Sequence, residues 1–137
     1  LSAPDIQREI KIVGKKIASG ADFFLTQPIY STAPLVQFLS RYQEAAGAKF
    51  PIPILAGILP LASARHAAFL QQEVPGIDIP PEIHASMQQA GDQGAREGIR
   101  LAIELIGQLN SIAQGVYLMP AFGRFDYAAE IIETALK

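Results

Sequence analysis

Three short apolar segments, separated by amphipathic ones, constrain the fold of this chain more than any other feature. They lie at Asp22–Thr26, near Ile54–Gly57 and at Gly115–Pro120. Each is too short for a typical helix and is apolar toward both sides, as strands buried in a parallel sheet are. The sequence therefore predicts an α/β fold in which helices cover a parallel sheet.

Apolar spacing and capping residues predict the helices of the first half. One stripe at helical spacing marks the first helix: Ile6, Ile10, Val13 and Ile17. Ser2 or Asp5 can cap this helix, and Gly20 can end it with a left-handed turn. Thr32 and Gly47 are placed to begin and end a second helix.

The second half of the chain predicts four more helices. They run from Ser63 to about Glu73, from the prolines after Ile79 to Gly91, from about Asp92 to Leu109, and from about Phe125 to Leu136. The residues expected to point inward from the third of these share one face: Ile99, Ile103, Ile106 and Leu109.

The predicted order of elements is α-β-α-β-α-α-α-β-α. A parallel sheet of three strands has two open edges, which a closed barrel would not have. A closed eight-stranded barrel typically takes about 250 residues, whereas this chain has 137. The strand count therefore predicts a single domain that is a little under half of a TIM (β/α)8 barrel.

Composition excludes several classes of protein. The net charge is −2, and no basic cluster extends beyond Lys15 and Lys16, which argues against nucleic-acid binding. No apolar run approaches a membrane span, no signal-peptide pattern begins the chain, and we expect no membrane partner. The absence of cysteine excludes disulfides, thiolate metal sites and a cysteine nucleophile. We therefore expect a cytoplasmic location and, because the chain begins at Leu1, a piece of a longer protein.

The first predicted strand stops at the polar pair Thr26-Gln27. Side chains at the carboxyl ends of parallel strands face the ligand crevice. The amide of Gln27 can donate and accept hydrogen bonds at once, which suits the edge of a heterocycle. The alternative is a glutamine that binds loop backbone.

Other catalytic signatures are missing from the sequence. There is no glycine-rich phosphate loop, no nucleophile elbow and no carboxylate pair typical of glycoside hydrolysis. His66 and His84 lie too far apart, without paired ligands nearby, to predict a metal site.

Four motifs in order resemble the C-terminal part of methylenetetrahydrofolate reductase. They are the segment Ser19–Gln27, the segment Gly57–Leu61, the pair Ile79-Pro80 and a last strand followed by Arg124. The resemblance spans essentially residues 1–137, as one domain truncated on its N-terminal side. The last strand and its loop, Val116–Arg124, resemble the bacterial bifunctional branch, in which a homocysteine S-methyltransferase domain precedes the reductase barrel.

The resemblance implies a flavin-dependent oxidoreductase of one-carbon metabolism and methionine biosynthesis. NAD(P)H would reduce FAD, and the flavin would reduce 5,10-methylenetetrahydrofolate to 5-methyltetrahydrofolate. The family's acidic catalytic residue lies upstream, so no catalytic residue is expected in this chain, and the isolated chain should be inactive and bind flavin weakly. The alternative is a non-catalytic half-barrel that buries its open sheet edges against a partner.

The resemblance also implies which residues contact the folate substrate. Gln27 would bind the pterin, His66 would replace a family glutamine, and Leu70 would form an apolar wall. Arg124 would bind the glutamate tail through a forked pair. Each has an ordinary alternative: a helix-surface histidine, a core leucine, and for Arg124 an ion pair with Asp126 or its neighbours.

The cofactor residues implied by the resemblance cluster around the first helix. Glu9 stands where the family often has an aspartate near the flavin's sugar-phosphate part. Lys16 matches a flavin-contacting lysine, Lys15 a basic neighbour, and Ala21 a further cofactor contact. A solvated lysine pair is the alternative for the two cations. A homo-oligomer, or association with the missing half of the barrel, is expected because the sheet edges are open.

Overall fold

The computed structural model describes residues 5–137. Its regular elements are, in chain order, α1 (Ile6–Ala18), β1 (Phe24–Pro28), α2 (Ala33–Ala46), β2 (Ile54–Ile58), α3 (Ala64–Glu73), α4 (Pro81–Ala90), α5 (Gly94–Leu109), β3 (Gly115–Leu118) and α6 (Phe125–Ala135). Short 3-10 turns precede α5 and α6. This order matches the one predicted from the sequence. β1 begins and ends two residues later than expected, so Gln27 is part of the strand. The N–H of Phe24 donates to the carbonyl oxygen of Pro53, just before β2, at 2.9 Å.

The three strands form one parallel sheet in the order β1-β2-β3. Phe24 is paired with Ile54, and Leu55 is paired with Gly115. The β1–β2 register shifts between Leu25 and Pro28, as at a β-bulge. Because all strands run the same way, their carboxyl ends lie along a single edge of the sheet.

Two helix starts differ in how they are capped. The Asp5 carboxylate accepts a hydrogen bond from the N–H of Arg8 at 3.1 Å, which selects Asp5 over Ser2, a residue outside the described range. Thr32 occupies the N-cap of α2 but makes no side-chain cap. The Ser31 hydroxyl serves that helix instead and accepts from the N–H of Ala33 at 3.1 Å.

Three further residues lie at helix ends as predicted. Gly20 and Gly47 have φ angles of 99° and 70°, so both adopt the left-handed conformation expected at helix ends. The Ser63 hydroxyl accepts a hydrogen bond from the N–H of His66 at 3.0 Å and caps α3.

One face of the sheet packs against α2, α5 and α6 to form the main core. Its buried members are Ile29, Leu35, Ile54, Ala56, Ile58, Ile99, Ala102, Leu105, Leu109 and Ile131. The four residues predicted to point inward from α5 all contact this core: Ile99 and Leu109 are buried, and Ile103 and Ile106 are half-buried and pack against it. Ala102 and Leu105, which were not among the predicted residues, are buried as well. Because α5 also packs against α4 and α6, a wider part of its surface is covered than the predicted stripe.

The opposite face of the sheet is open. Leu25 is 55% exposed, whereas Ile54 and Ile58 on the helix-covered face are buried. In a closed barrel the open face would be the interior, filled by residues from the other strands. A second apolar cluster, at the carboxyl end of β2, joins α3 to α4.

Candidate functional site

The end of β1 and the loops that follow the three strands make up the edge where the candidate site lies. We call residues 27–31, 59–63 and 119–124 the strand-end edge. Gln27 and Arg124, two of the four residues that the sequence assigned to the substrate, are part of this edge. A third, His66, lies directly beside it. Directly beside these segments, one contact joins β1 to β3 and a second joins β1 to β2.

The first contact crosses the whole sheet. The hydroxyl of Tyr117 on β3 donates a hydrogen bond to the carbonyl oxygen of Thr26 on β1. The ring passes over Gly57 on the intervening strand, where an added Cβ would lie 2.8 Å from the tyrosine oxygen. Glycine at this position therefore permits the contact. Tyr117 was missed in the sequence, because a tyrosine in a strand is ordinarily a packing residue.

The second contact lies within the bulge of β1. The Thr26 hydroxyl accepts a hydrogen bond from the N–H of Gly57 at 2.9 Å and donates to the carbonyl of Gln27 at 2.7 Å. The side chain thus replaces a backbone acceptor in the ladder at the point where the register shifts. The bulge fixes the direction in which Gln27 leaves the strand.

Gln27 is exposed and contacts the turn between α3 and α4. Its amide nitrogen donates to the carbonyl oxygen of Pro75 at 3.4 Å, a long hydrogen bond, and its amide oxygen lies against Gly76. The structure therefore realises the loop-binding alternative for this side chain. Because the bond is long and exposed, a ligand can replace it at small cost.

His66 lies in the first turn of α3, directly after the β2 loop. Its Nδ1 accepts a hydrogen bond from the N–H of Ala62 at 3.0 Å, so the neutral ring carries its proton on Nε2. Burial lowers the pKa of His66 below its ordinary value and favours this neutral form. Its ring centroid lies 5.1 Å from that of Phe122, which joins the β2 and β3 segments of the edge.

The Arg124 side chain contacts two residues in the first turn of α6, the helix that follows it. Its Nε and Nη2 donate to the two carboxylate oxygens of Asp126 at 3.0 and 2.8 Å, and its Cζ lies 3.7 Å from the centroid of the Tyr127 ring. The hydrogen bonds from Arg124 lower the pKa of Asp126. The structure thus contains the ion pair that the sequence offered as the alternative, and an external carboxylate would compete with Asp126.

Leu70 has the surroundings of a core residue. It is 5% exposed and packs in the apolar cluster between α3 and α4, with Ala67, Ile77 and Met87. Burial of this kind gives it little surface with which to contact a ligand.

The residues assigned to the cofactor lie around α1. Glu9, in the first turn, is half-buried and lines a cavity of about 290 Å³ together with Gln27 and Asp78. Lys15 and Lys16, in the last turn, are exposed, and within residues 5–137 neither is paired with a carboxylate. The N–H of Ala21 donates to the carbonyl of Lys16 at 3.1 Å, at the start of β1 and thus away from the strand-end edge.

This donor set fits part of a flavin nucleotide. Two unpaired ammonium groups suit the phosphates, and the Glu9 carboxylate can accept hydrogen bonds from sugar hydroxyls. In the part of the chain that the structure describes, no cluster of three or more potential ligands could hold a metal ion. No helix among residues 5–137 is both long and apolar enough to span a bilayer.

Comparison with known sequences identifies the family of this chain. A family model described as "Methylenetetrahydrofolate reductase" matches residues 2–134. Methylenetetrahydrofolate reductase 1 of Schizosaccharomyces pombe is 31% identical over 115 residues, which cover 82% of this chain and 18% of the relative. Methylenetetrahydrofolate reductase 2 of Saccharomyces cerevisiae is 29% identical over 109 residues, or 77% of this chain and 17% of the relative. The chain thus spans under a fifth of these curated relatives.

A solved structure shares the fold. It is an uncharacterized protein from Clostridium thermocellum that binds two copies of 5-methyl-5,6,7,8-tetrahydrofolic acid, with a TM-score of 0.66 and 19% identity. The match covers 94% of this chain and 47% of that one. The predicted fold class is confirmed: three parallel strands with flanking helices, as in the C-terminal part of a (β/α)8 barrel.

Proposed function

Because the chain belongs to the methylenetetrahydrofolate reductase family, we propose that it forms the folate-binding side of a flavin-dependent reductase barrel. The reaction would reduce 5,10-methylenetetrahydrofolate to 5-methyltetrahydrofolate with NAD(P)H through FAD. The observation that carries this proposal is the family match over nearly the whole chain. The folate bound by the solved structural neighbour supports it further, since that ligand is the product of the proposed reaction.

The strand-end edge supplies groups suited to a long, polar ligand with a planar head and an acidic tail. The Gln27 amide would bind the heterocycle, the Nε2–H of His66 would donate to an acceptor on the ligand, and Arg124 would bind a carboxylate. In the structure, the loop at Pro75 and the Asp126 carboxylate occupy Gln27 and Arg124. Binding therefore exchanges internal partners for ligand groups, and orientation is the main contribution of these residues.

The flavin, when bound, supplies the hydride-transfer chemistry. From this chain, Lys15 and Lys16 would contact its phosphates, Glu9 its sugar hydroxyls, and Ala21 would lie beside them. Lys15, Lys16 and Ala21 lie near the start of β1, whereas Glu9 lines the cavity that also includes Gln27, so the nucleotide would extend along the strand from the edge that holds the folate. Leu70, as a core residue, would act by supporting α3.

The domain assignment follows from the same proposal. Residues 1–137 would be the C-terminal portion of a barrel whose upstream part carries the acidic catalytic residue and most flavin contacts. The isolated chain would then lack reductase activity and bind flavin weakly. A preceding methyltransferase domain, as in the bifunctional branch, and a cytoplasmic location, suggested by the absence of cysteine, belong to this proposal as well.

A second candidate function is a non-catalytic half-barrel that associates through its open surfaces. Leu25 on the open sheet face is 55% exposed, and Leu136 at the end of the chain is 83% exposed. A groove of about 720 Å³ runs between α5, β3 and α6 and is lined mainly by apolar side chains. Such surfaces favour either a homo-oligomer or association with the missing half of a barrel.

Flavin absorbance separates the two candidates. The test compares the 137-residue chain with a longer polypeptide that adds the upstream strands, each incubated with FAD and desalted. We expect the longer protein to be yellow and to oxidise NAD(P)H in the presence of 5,10-methylenetetrahydrofolate, while the shorter chain is colourless. In the longer protein, Gln27→Ala should keep the absorbance and lose turnover. A longer protein that binds no flavin would refute the reductase proposal and favour the half-barrel.

A further inference from the structure

The end of β1 is held by side-chain contacts with both of the other strands. The Tyr117 hydroxyl on β3 donates to the carbonyl oxygen of Thr26, and the Thr26 hydroxyl accepts from the N–H of Gly57 on β2 at 2.9 Å. Both bonds lie where the regular pairing of β1 with β2 is interrupted, between Leu25 and Pro28. Two side chains therefore fix the backbone at a point where the strand ladder does not.

Tyr117 does not have the surroundings of a packing residue. It belongs to none of the three apolar clusters among the described residues. Its ring lies over Gly57, where an added Cβ would be 2.8 Å from the tyrosine oxygen and 3.1 Å from the carbonyl oxygen of Gln27. Burial raises the pKa of Tyr117, so the hydroxyl keeps its proton at neutral pH and remains a donor. What the side chain contributes here is a hydrogen bond next to Gln27.

The Gln27 side chain has little else to direct it. It is exposed, and its amide nitrogen makes one long hydrogen bond, of 3.4 Å, to the carbonyl oxygen of Pro75. When a ligand takes the amide, that bond is released, and the backbone of β1 then decides where the amide lies. The Thr26 hydroxyl also donates to the carbonyl oxygen of Gln27 at 2.7 Å, so it contacts this backbone on both sides of the residue link.

We propose that Tyr117 and Thr26 are positioning residues that direct the Gln27 amide toward the pterin ring of the folate. This inference rests on the proposed function. Neither residue needs to touch the ligand: both act on the backbone that carries Gln27, and placement of an orienting group contributes to affinity and rate. Folates carry a pterin at one end, a benzoyl ring in the middle and a glutamate at the other end. Only binding of the pterin end should therefore respond to changes at these two positions.

The test uses two variants and a control in the 137-residue chain. Tyr117→Phe removes one hydroxyl and keeps the ring. Thr26→Val removes the other hydroxyl at nearly constant shape, and it decides the question if Tyr117→Phe does not fold. The control is Gln114→Met, because the Gln114 amide oxygen accepts from the N–H of Ile54 at 2.8 Å. That substitution also breaks a link from the β3 segment to β2, but at the amino ends of the strands, away from Gln27.

Affinity and amide position are measured separately by NMR. The probes are a reduced pterin that lacks the benzoyl group, p-aminobenzoylglutamate and 5-methyltetrahydrofolate, and the side-chain amide resonances of Gln27 report its position before ligand is added. We expect Tyr117→Phe and Thr26→Val to shift these resonances and to weaken both pterin-containing probes by about three- to tenfold. Binding of p-aminobenzoylglutamate should be unchanged. Gln114→Met should lower the melting temperature to a similar degree and change no affinity.

Four results would overturn the inference. The first is unchanged affinity for the reduced pterin in either variant. The second is an equal loss in Gln114→Met, which would assign the effect to stability alone. The third is a loss of affinity with unchanged Gln27 resonances, which would make the removed hydroxyl a direct ligand contact. The fourth is an equal loss for p-aminobenzoylglutamate.

The wild-type titration separates this inference from the proposed function. If wild type binds the reduced pterin while Tyr117→Phe and Thr26→Val change nothing, the positioning role fails and the proposed function stands. If wild type binds none of the three probes, the proposed function fails and the positioning role fails with it.

Discussion

The Tyr117 hydroxyl donates its hydrogen bond to the carbonyl oxygen of Thr26, two strands away, across the bare backbone of Gly57. On the open face of the three-stranded sheet, this hydrogen bond connects the two outer strands, β1 and β3, directly. It also lies directly beside Gln27. The geometry of the candidate site thus depends on a contact between the two strands that do not pair with each other.

Removal of that hydroxyl tests the importance of the cross-sheet contact. Tyr117→Phe leaves the ring in place and the half-buried Thr26 carbonyl without this donor, so unfolding free energy should fall by about 1–2 kcal/mol. Urea denaturation followed by circular dichroism measures the change. Tyr30→Phe, which removes the bond from Tyr30 to the Leu59 carbonyl at 2.8 Å, is a useful comparison. No change in Tyr117→Phe would show that water replaces the hydroxyl.

Two glycines of the same helix should respond to alanine with opposite signs. A Cβ at Gly98 would collide with the backbone carbonyl of Leu61, so Gly98→Ala must displace the loop after β2 and should lower stability by about 1–3 kcal/mol. Gly107 has open space around it, so Gly107→Ala should raise stability by about 0.5–1 kcal/mol through helix propensity. Thermal melts of both variants, compared with wild type, test this. Equal effects of the two substitutions would contradict the close approach of α5 to the loop.

The Asp126 carboxylate should compete with an anionic ligand for Arg124. Both side chains are exposed, so their pair is weak, and Asp126→Asn should strengthen p-aminobenzoylglutamate binding by about 2–5-fold. Glu130→Gln removes the same charge one helical turn away but breaks the ion pair with Arg96 instead, whose guanidinium donates two hydrogen bonds to the Glu130 carboxylate, at 2.9 and 2.5 Å. If titration shows that both variants bind p-aminobenzoylglutamate more tightly by the same factor, the effect is a general one of charge and Arg124 has no specific role.

Stability should depend on pH through His66. Burial lowers the pKa of His66 in the folded chain, so the unfolded chain binds the proton more readily. The stabilising contribution is therefore complete above the unfolded pKa of about 6.5 and is lost as the pH falls toward the lower folded value. The melting temperature of wild type should fall more than that of His66→Gln between about pH 7.5 and about pH 5.5. Parallel curves for the two proteins would contradict the lowered pKa.

The sequence predicted those parts of the fold that local chemistry decides. Gly20, Gly47 and Ser63 act at helix ends as their residue types predict, and the three apolar segments are parallel strands. The deep burial of Ala102 and Leu105 in α5 was not predicted, because it depends on how closely α4 and α6 pack on either side of that helix.

For the candidate site, the sequence indicated several of the residues but not the groups that their side chains contact. Gln27 meets Pro75, which is 48 residues away in the sequence, and only the fold decides such a contact. Phe122 was missed, although its sequence signal is an aromatic residue before glycine in a strand-end loop. Its left-handed backbone arises from the turn between β3 and α6, and residue type alone would predict the opposite.

The central claim is that the carboxyl ends of the three strands hold the folate. Chemical-shift mapping of the isotopically labelled 137-residue chain, titrated with 5-methyltetrahydrofolate, tests it most directly. We predict that the largest changes occur at the Gln27 side-chain amide and at the backbone amides of Phe122 and Arg124, with small changes along α1. Largest changes in the groove between α5 and α6, or no saturable changes anywhere, would contradict the account.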